Sequence, residues 1–253
     1  MLTLIGTVLA RYLHQKSAGF RPSTVPVPLP LLRRCLHPGD VLLVEGDRKV
    51  SAVIKYITQS NWSHAAIYIG EAAGEGGDDP PCLLEADMLN GVVLVPLSKY
   101  AGLNTRICRP VDLAEADRVT LIAHLRNHLG MQYDIRNALD LARYLLPLPV
   151  PQRWRRRLLA LGSGDPTRAL CSTLIAQAFQ SIHYPILPVI GESSPRERLN
   201  HAEKEIIHIR NYRLFAPRDF DISPYFRIIK PALEAGFHYK SIIWAENDGD
   251  KGN

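Results

Sequence analysis

The sequence predicts an α+β domain in which an antiparallel sheet packs against helices. Short apolar segments bounded by turn residues lie between residues 40 and 97, a helical spacing of apolar residues follows from 121 to 182, and strand-like segments return after residue 210. Strands grouped in this way, rather than alternating with helices, are typical of α+β folds. A chain of 253 residues can build one large core, and the order of elements does not require a second domain.

The composition excludes several classes of function. The net charge is only +5, and basic and aromatic residues do not alternate as they do in nucleic-acid binders. The chain has no paired-cysteine zinc motif, phosphate-binding loop or dinucleotide fingerprint. We therefore expect no nucleic-acid partner, no metal and no cofactor. The four cysteines are widely spaced, which favours free thiols in a reducing, cytoplasmic compartment.

The first 32 residues are expected to form an apolar helix and a proline-rich linker. The apolar run that begins at Leu2 and ends at Ala10 is too short to span a bilayer. It predicts a helix docked on the protein or, alternatively, one that lies on a membrane surface. Residues 21–32 contain four prolines, which argues against helix and predicts an extended linker. The main domain is then expected at 33–245, followed by a disordered tail at 246–253.

The strands of the predicted sheet come early in the chain. Buried strands are predicted at "DVLLVEG" and "SHAAIYIG", with a short amphipathic helix through residues 50–57 between them. An acidic, glycine-rich loop at 71–81 leads to two more strands, "CLLEAD" and "GVVLVPL", joined at 89–91. Two further strand-like segments lie at 210–215 and 238–244.

Three helices are predicted between the four early strands and the two later segments. One ends near Gly130, one lies at 137–146, and one includes residues 169–180. The apolar face of the third helix consists of Leu174, Ile175, Ala178, Phe179 and Ile182. An insertion at 147–166 precedes it. The basic run in this insertion, which begins at Arg153 and ends at Leu161, predicts a solvated helix face, a contact with an anionic membrane, or a patch that steers acidic substrates.

A histidine and a cysteine are the residues most suggestive of chemistry. His64 begins the second predicted strand, and Cys171 lies at or near the start of the helix at 169–180. An imidazole titrates near neutral pH, and a helix N-terminus favours a thiolate. If the two side chains meet, they form a nucleophile with its base. Taken alone, each residue is more typical of core packing.

Two features of this pair stay open from the residues alone. Asp165 and Pro166 would be a suitable N-cap and first helical residue, and Cys171 would then lie in the second turn, where the helix dipole helps little. A symmetric hairpin between the second and third strands puts His64 roughly opposite Asp87, with Glu85 one diagonal step away on the same face. A carboxylate there would orient the imidazole, but a register slip of two residues exchanges the two carboxylates.

The order of these motifs resembles a known enzyme family. "GDVLLV", "SHAAIYIG", "LLEAD", "YD" and "LCSTLIAQAF" follow one another as in the permuted papain-like cysteine amidases, the YiiX/YebB/YaeF-like branch of the NlpC-type peptidases, and lecithin-retinol acyltransferase-like enzymes are similar. The resemblance covers roughly residues 36–188. It implies a circularly permuted papain-like (NlpC-type) fold, with the histidine strand before the cysteine helix and an antiparallel sheet or small barrel packed against that helix.

The resemblance also implies roles for single residues. Cys171 matches the nucleophile of the family, His64 its base, and Glu85 the polar residue that orients the histidine. Tyr133 matches a tyrosine beside the nucleophile whose hydroxyl would donate to the oxyanion or the substrate; a tyrosine that only fills the core is the alternative. Backbone N–H groups of Cys171 and Ser172 would complete an oxyanion hole.

These roles imply a thiol hydrolase that cleaves an amide bond through a Cys-His-Glu triad and an acyl-enzyme. The expected substrates are small amides or peptidoglycan-type peptides. Two alternatives remain: a phospholipase or acyltransferase that uses the same thiol mechanism on a lipid, with peripheral membrane contact through the run at 2–10 or the basic run at 153–161, and a binding module without catalysis. The loop at 71–81 and the insertion at 147–166 depart from the family pattern, and such loops decide which substrates enter.

Overall fold

The computed structural model describes residues 11–71, 77–87, 89–132, 170–187, 189–190, 207–208 and 210–241. Several predicted features lie outside these residues. They are the apolar run at 2–10, residues 72–76 of the acidic loop, Tyr133, the helix at 137–146, the insertion at 147–166 with its basic run, and the tail at 246–253. The predicted domain boundaries stay predictions.

Six antiparallel strands form the main sheet. In chain order they are β1 (Val41–Val44), β2 (His64–Tyr68), β3 (Pro81–Asp87), β4 (Gly91–Pro96), β5 (Thr105–Pro110) and β8 (Phe226–Ile229). Their order across the sheet is β4-β3-β2-β1-β5-β8, and a separate ladder joins β6 (Val189–Ile190) to β7 (Ile207–His208). The predicted α+β class with an antiparallel sheet is confirmed. The six strands form an open sheet in the described part of the chain, rather than a closed barrel.

Residues 11–13 are helical, and six further α-helices accompany the strands in the described residues. They are α1 (Leu29–Cys35), α2 (Lys49–Thr58), α3 (Glu115–Arg126), α4 (Leu170–Ser181), α5 (Pro217–Asp221) and α6 (Pro231–Glu234). Short 3-10 turns occupy Leu97–Tyr100, Tyr212–Leu214 and Tyr239–Ser241. None of the helices in the described part of the chain has the length and hydrophobicity needed to cross a lipid bilayer.

The sheet separates two apolar layers. On one face, α3 and α4 cover β2 and β3, and the inward residues of α4 are almost wholly buried: Leu174, Ile175, Ala178 and Phe179. On the other face, α1 and the turn after β4 cover Leu42, Ala66 and Leu83. Strand residues alternate between the two layers because successive side chains point to opposite faces. This arrangement fixes α4 against the strand that begins with His64.

Three sequence predictions are wrong in detail. The linker at 21–32 was expected to contain no helix, but α1 begins at Leu29. Pro30 lies in the first turn of α1, where the missing N–H and fixed φ of proline are tolerated. The strand expected at 210–215 is replaced by a 3-10 turn over Tyr212–Leu214, and the described part of the strand expected at 238–244 contains a 3-10 turn over Tyr239–Ser241. Residues 242–244 lie outside the described residues, and the outer strand of the sheet is β8. The aromatic composition of both segments is typical of strands, but in the described residues neither segment pairs with another strand.

A tight turn after β3 sets the hairpin register. Gly91 has a φ of 72°, and a Cβ at this position would lie 2.3 Å from the carbonyl oxygen of Met131. Val92 N–H donates to that carbonyl, and Gly130 N–H donates to the carbonyl of Val92. Only glycine accommodates this backbone approach. The register that follows pairs Glu85 with Val93 and Asp87 with Gly91 across β3 and β4.

The chain before α1 lies along α2 and the ends of β1 and β5. Ser17 N–H donates to the carbonyl of Asp47 at 2.7 Å, and the Ser23 N–H donates to the Glu45 carboxylate at 3.0 Å. Glu45 is 4% exposed and also accepts from the Asn104 side chain. A buried carboxylate held by several donors anchors its partners firmly. Residues 11–24 are therefore an ordered wall of the protein.

Candidate active site

His64 is the first residue of β2, at the edge where the strand emerges from the core. Its Cα pairs with Val44 of β1. The β2–β3 register pairs Ile67 with Leu84, and when it is extended to the end of the strand it places His64 opposite Asp87. The ring is about one-quarter exposed, so one side is packed and the other faces open space. The strand thus delivers an imidazole to the surface of a cavity while its backbone stays in the sheet.

Glu85 of β3, rather than Asp87, contacts this imidazole. The Nε2 atom of His64 lies 2.8 Å from Oε2 of Glu85, and the carboxylate has no exposed surface. Asp87 instead accepts hydrogen bonds from the backbone N–H groups of Leu89 and Asn90, each at 2.9 Å. It closes the turn between β3 and β4, as aspartate commonly does. The structure therefore separates the two carboxylates that the sequence left interchangeable.

Cys171 reaches the same imidazole from the opposite layer. It is the second described residue of α4; Asp165 and Pro166 lie outside the described residues, so the position of the first helical residue stays a prediction. The Cys171 thiol lies within hydrogen-bonding reach of His64, and both residues line one cavity. Because Nε2 faces Glu85, Nδ1 is the ring nitrogen left for the thiol. The three side chains form a line of thiol, imidazole and carboxylate.

The charges of the three groups support one another. Burial alone would lower the pKa of His64, but the negative charge and hydrogen bonds of Cys171 and Glu85 outweigh burial and raise it to about 10. Burial alone would raise the pKa of Glu85, yet the hydrogen bond and positive charge of His64, followed by Lys99, hold it well below its ordinary value. A proton on the imidazole beside the buried Glu85 carboxylate is the state that these two groups favour.

Two residues of the site had no counterpart in the sequence predictions. Lys99 and Tyr100 belong to the 3-10 turn after β4. The Lys99 ammonium donates to Oε1 of Glu85 and the Tyr100 hydroxyl to Oε2, and that hydroxyl lies 3.1 Å from Nε2 of His64. Burial, followed by the charge of Glu85, raises the pKa of Tyr100 well above its ordinary value. Its hydroxyl therefore stays protonated and remains a donor.

The remaining predicted site residues differ in what the structure describes. Tyr133 lies outside the described residues. Ser172 is completely buried, and its hydroxyl donates to the carbonyl of Phe215 at 2.6 Å. This bond ties the start of α4 to the chain before α5. The side chain is thus committed to structure, and the role that the resemblance implies concerns the backbone N–H of Ser172 alone.

A cavity of about 430 Å³ opens beside Cys171 and His64. Its volume is in the range of small-molecule sites. In the described part of the chain no group of three or more histidine, cysteine or acidic residues is placed to hold a metal ion. All four cysteines are free, and burial raises the pKa of Cys82 to about 11. Burial also raises the pKa of Cys108, which makes both residues poor nucleophiles.

Comparisons with known proteins give one family match. Residues 35–144 match the model of a family described as permuted papain-like amidase enzymes, YaeF/YiiX, C92 family. These residues include His64 and Glu85 but end before Cys171. Among solved structures, the crystal structure of metalloprotein YiiX from Escherichia coli O157:H7 is similar, with 15% sequence identity over 77% of this chain and 96% of that one, at a TM-score of 0.44. No curated protein matches. The predicted resemblance is thus confirmed over residues 35–144, and the chain is a cysteine hydrolase similar to the permuted papain-like amidases.

Proposed function

We propose that the protein hydrolyses amide bonds with Cys171 as nucleophile, His64 as general base and acid, and Glu85 as the residue that orients His64. The observation that supports this most strongly is the line of thiol, imidazole and buried carboxylate, in which Nε2 of His64 is 2.8 Å from Glu85. Thiol hydrolases use this combination of groups. The chain order, with the histidine strand before the cysteine helix, is that of a permuted papain-like fold.

The first half-reaction makes an acyl-enzyme. Transfer of the thiol proton of Cys171 to Nδ1 of His64 gives the imidazolium that the Glu85 carboxylate stabilises, and the thiolate attacks the carbonyl carbon of the amide. The C–N bond then breaks, His64 returns the proton to the leaving amine, and the acyl group stays on sulfur as a thioester. We expect backbone N–H groups of Cys171 and Ser172 to hold the oxyanion. Tyr133 remains a predicted further donor.

The second half-reaction releases the acid. His64 removes a proton from water, the hydroxide attacks the thioester carbon, and the C–S bond breaks to give a carboxylic acid and the Cys171 thiolate. Glu85 stabilises the imidazolium in both steps and stays ionised itself. Lys99 and Tyr100 hold Glu85 in place, so we assign them as positioning residues. We expect small amides or peptides as substrates and a cytoplasmic location.

Site-resolved alkylation tests this assignment without knowledge of the substrate. The native protein is treated with iodoacetamide from pH 5 to 9, and each cysteine is read by mass spectrometry in the wild type, His64→Ala and the matched control His37→Ala, whose imidazole is exposed. We expect Cys171 to react at least tenfold faster than the half-buried Cys35 at pH 6.5, and His64→Ala to remove this advantage. An inert Cys171, or equal rates in all three proteins, would favour a binding module instead.

Turnover is the second readout. A set of fluorogenic amides is screened with the wild type and Cys171→Ala, and the acyl-enzyme is sought by intact mass after rapid acid quench. Hydrolysis that survives Cys171→Ala would refute the role of Cys171. A thioester that forms but transfers its acyl group only to an added amine or alcohol would identify an acyltransferase.

A further inference from the structure

The cavity beside Cys171 contains apolar surface that the described residues leave open. Phe20, Val50, Ile54 and Leu103 line it, and each is only partly buried. Their side chains come from three places: the chain before α1, helix α2, and the segment between β4 and β5. Apolar side chains that converge on one concavity and stay partly exposed mark a ligand site more often than they mark a core.

The polar groups of the cavity are engaged with one another. The Lys16 ammonium lies 3.4 Å from the Asp47 carboxylate, and Lys99 donates to Glu85. The guanidinium of Arg48 donates to the backbone carbonyl of His14. These contacts weaken the electrostatic attraction between the cavity and a charged ligand. A ligand that covers the partly exposed apolar wall still binds favourably, because apolar surface is removed from water.

The chain before α1 forms one wall of this cavity. Phe20 lies between two anchors, the hydrogen bond from Ser17 to Asp47 and that from Ser23 to Glu45, and the Lys55 ammonium sits 4.9 Å from the centre of its ring. This wall precedes residue 35, where the family match begins. It therefore lies outside the matched region, and it is positioned to influence which substrates fit.

We propose that this cavity binds the acyl portion of the substrate and that this portion is an apolar chain or side chain, with Phe20, Val50, Ile54 and Leu103 as the residues that select it. The inference rests on the proposed function, because it takes Cys171 as the acylated residue. A volume of about 430 Å³ suits an acyl group of several carbons rather than an acetyl group alone.

A pair of alkylating probes separates the apolar site from the reactivity of the thiol. N-methyl-iodoacetamide and N-hexyl-iodoacetamide carry the same reactive group, so the ratio of their rates at one cysteine reports binding of the alkyl chain. We expect a hexyl-to-methyl ratio at Cys171 that is at least tenfold higher than at Cys35, since each buried CH₂ contributes up to about fourfold. The rate of the methyl probe alone, with its dependence on His64, reports the proposed function.

Variants of the wall make the test specific. Phe20→Asp and Ile54→Asp each place a charge in the cavity and are expected to lower the hexyl-to-methyl ratio at Cys171 by about tenfold or more. Val25→Asp, in the same segment but 89% exposed, is the matched control and should keep the wild-type ratio. Phe20→Ser replaces Phe20→Asp if thermal unfolding shows that the charged variant is not folded.

The outcomes are distinct. A fast methyl probe with equal ratios at Cys171 and Cys35 refutes the apolar site and leaves the thiol hydrolase intact. A raised ratio that Phe20→Asp and Ile54→Asp do not change, or that Val25→Asp abolishes, refutes the assignment of these walls. A Cys171 that reacts with neither probe refutes the proposed function and with it this inference.

Discussion

Replacement of Glu85 by glutamine should damage both stability and the reactivity of Cys171. The carboxylate is completely buried as a side chain, and each of its oxygens accepts: Oε1 from Lys99, and Oε2 from His64 and Tyr100. An amide in either orientation turns its NH₂ toward a donor. The buried hydrogen-bond set therefore cannot be satisfied by glutamine, although the shape of the side chain hardly changes.

The size of the effect follows from this geometry. Two charges 2.8 Å apart attract by about 6 kcal/mol at an effective dielectric constant of about 20, and desolvation of both groups offsets much of that. Removal of one member of a buried pair typically costs about 3–5 kcal/mol. We expect about 3 kcal/mol at pH 7, because Lys99 is partly exposed and regains water. The pKa of His64 should fall from about 10 toward its ordinary value.

Urea unfolding and the alkylation profile measure these two effects, with Asp87→Asn as the matched control on the same strand. The folded state holds the pKa of Glu85 well below its ordinary value of 4.5. Its contribution to stability is therefore present above pH 4.5 and is lost as the pH falls further. The stability difference between wild type and Glu85→Gln should shrink accordingly in acid. Equal stability at pH 7, or an equal loss of Cys171 reactivity in Asp87→Asn, would refute the assignment of Glu85.

Three other substitutions test neighbouring parts of the structure. Tyr100→Phe removes a buried donor to Glu85 and should cost about 1–2 kcal/mol in urea unfolding and slow Cys171 alkylation severalfold, whereas the exposed Tyr56→Phe should do neither. Ser172→Ala leaves the carbonyl of Phe215 without this donor and should lower the free energy of unfolding by about 1–2 kcal/mol; an unchanged urea midpoint would contradict the buried bond. Asp40→Asn breaks a buried ion pair with Arg109 at 2.7 Å and should cost about 3 kcal/mol, and a smaller loss than for Ser172→Ala would argue against that pair.

Local pattern was enough to predict strands β1 to β4 and the faces of β2 and β3, but it did not predict β5 or β8. Alternation in "SHAAIYIG" and "CLLEAD" predicts which residues share a face, and the turn-rich loop between these strands is compatible with an antiparallel hairpin. Lys99 and Tyr100 were missed because they reach Glu85 from a 3-10 turn, and nothing in "LSKY" marks a turn residue as a partner of a strand. The wall before α1 was missed for a related reason: its proline content predicts extended chain but not what that chain covers.

The choice between Glu85 and Asp87 shows what decides a site when the pattern leaves it open. Both carboxylates lie on the same face of β3, and the alternation of side chains along a strand does not distinguish between them. The difference comes from the competing donors at each position. Asp87 is adjacent to the turn and is taken by the backbone N–H groups of Leu89 and Asn90. Glu85, two residues away from that turn, has no such local donor and is met by the imidazole, the ammonium and the phenol. The turn thus engages Asp87 and leaves Glu85 to contact His64. A substitution that opens the turn at Asn90 should therefore affect Asp87 before it affects the imidazole.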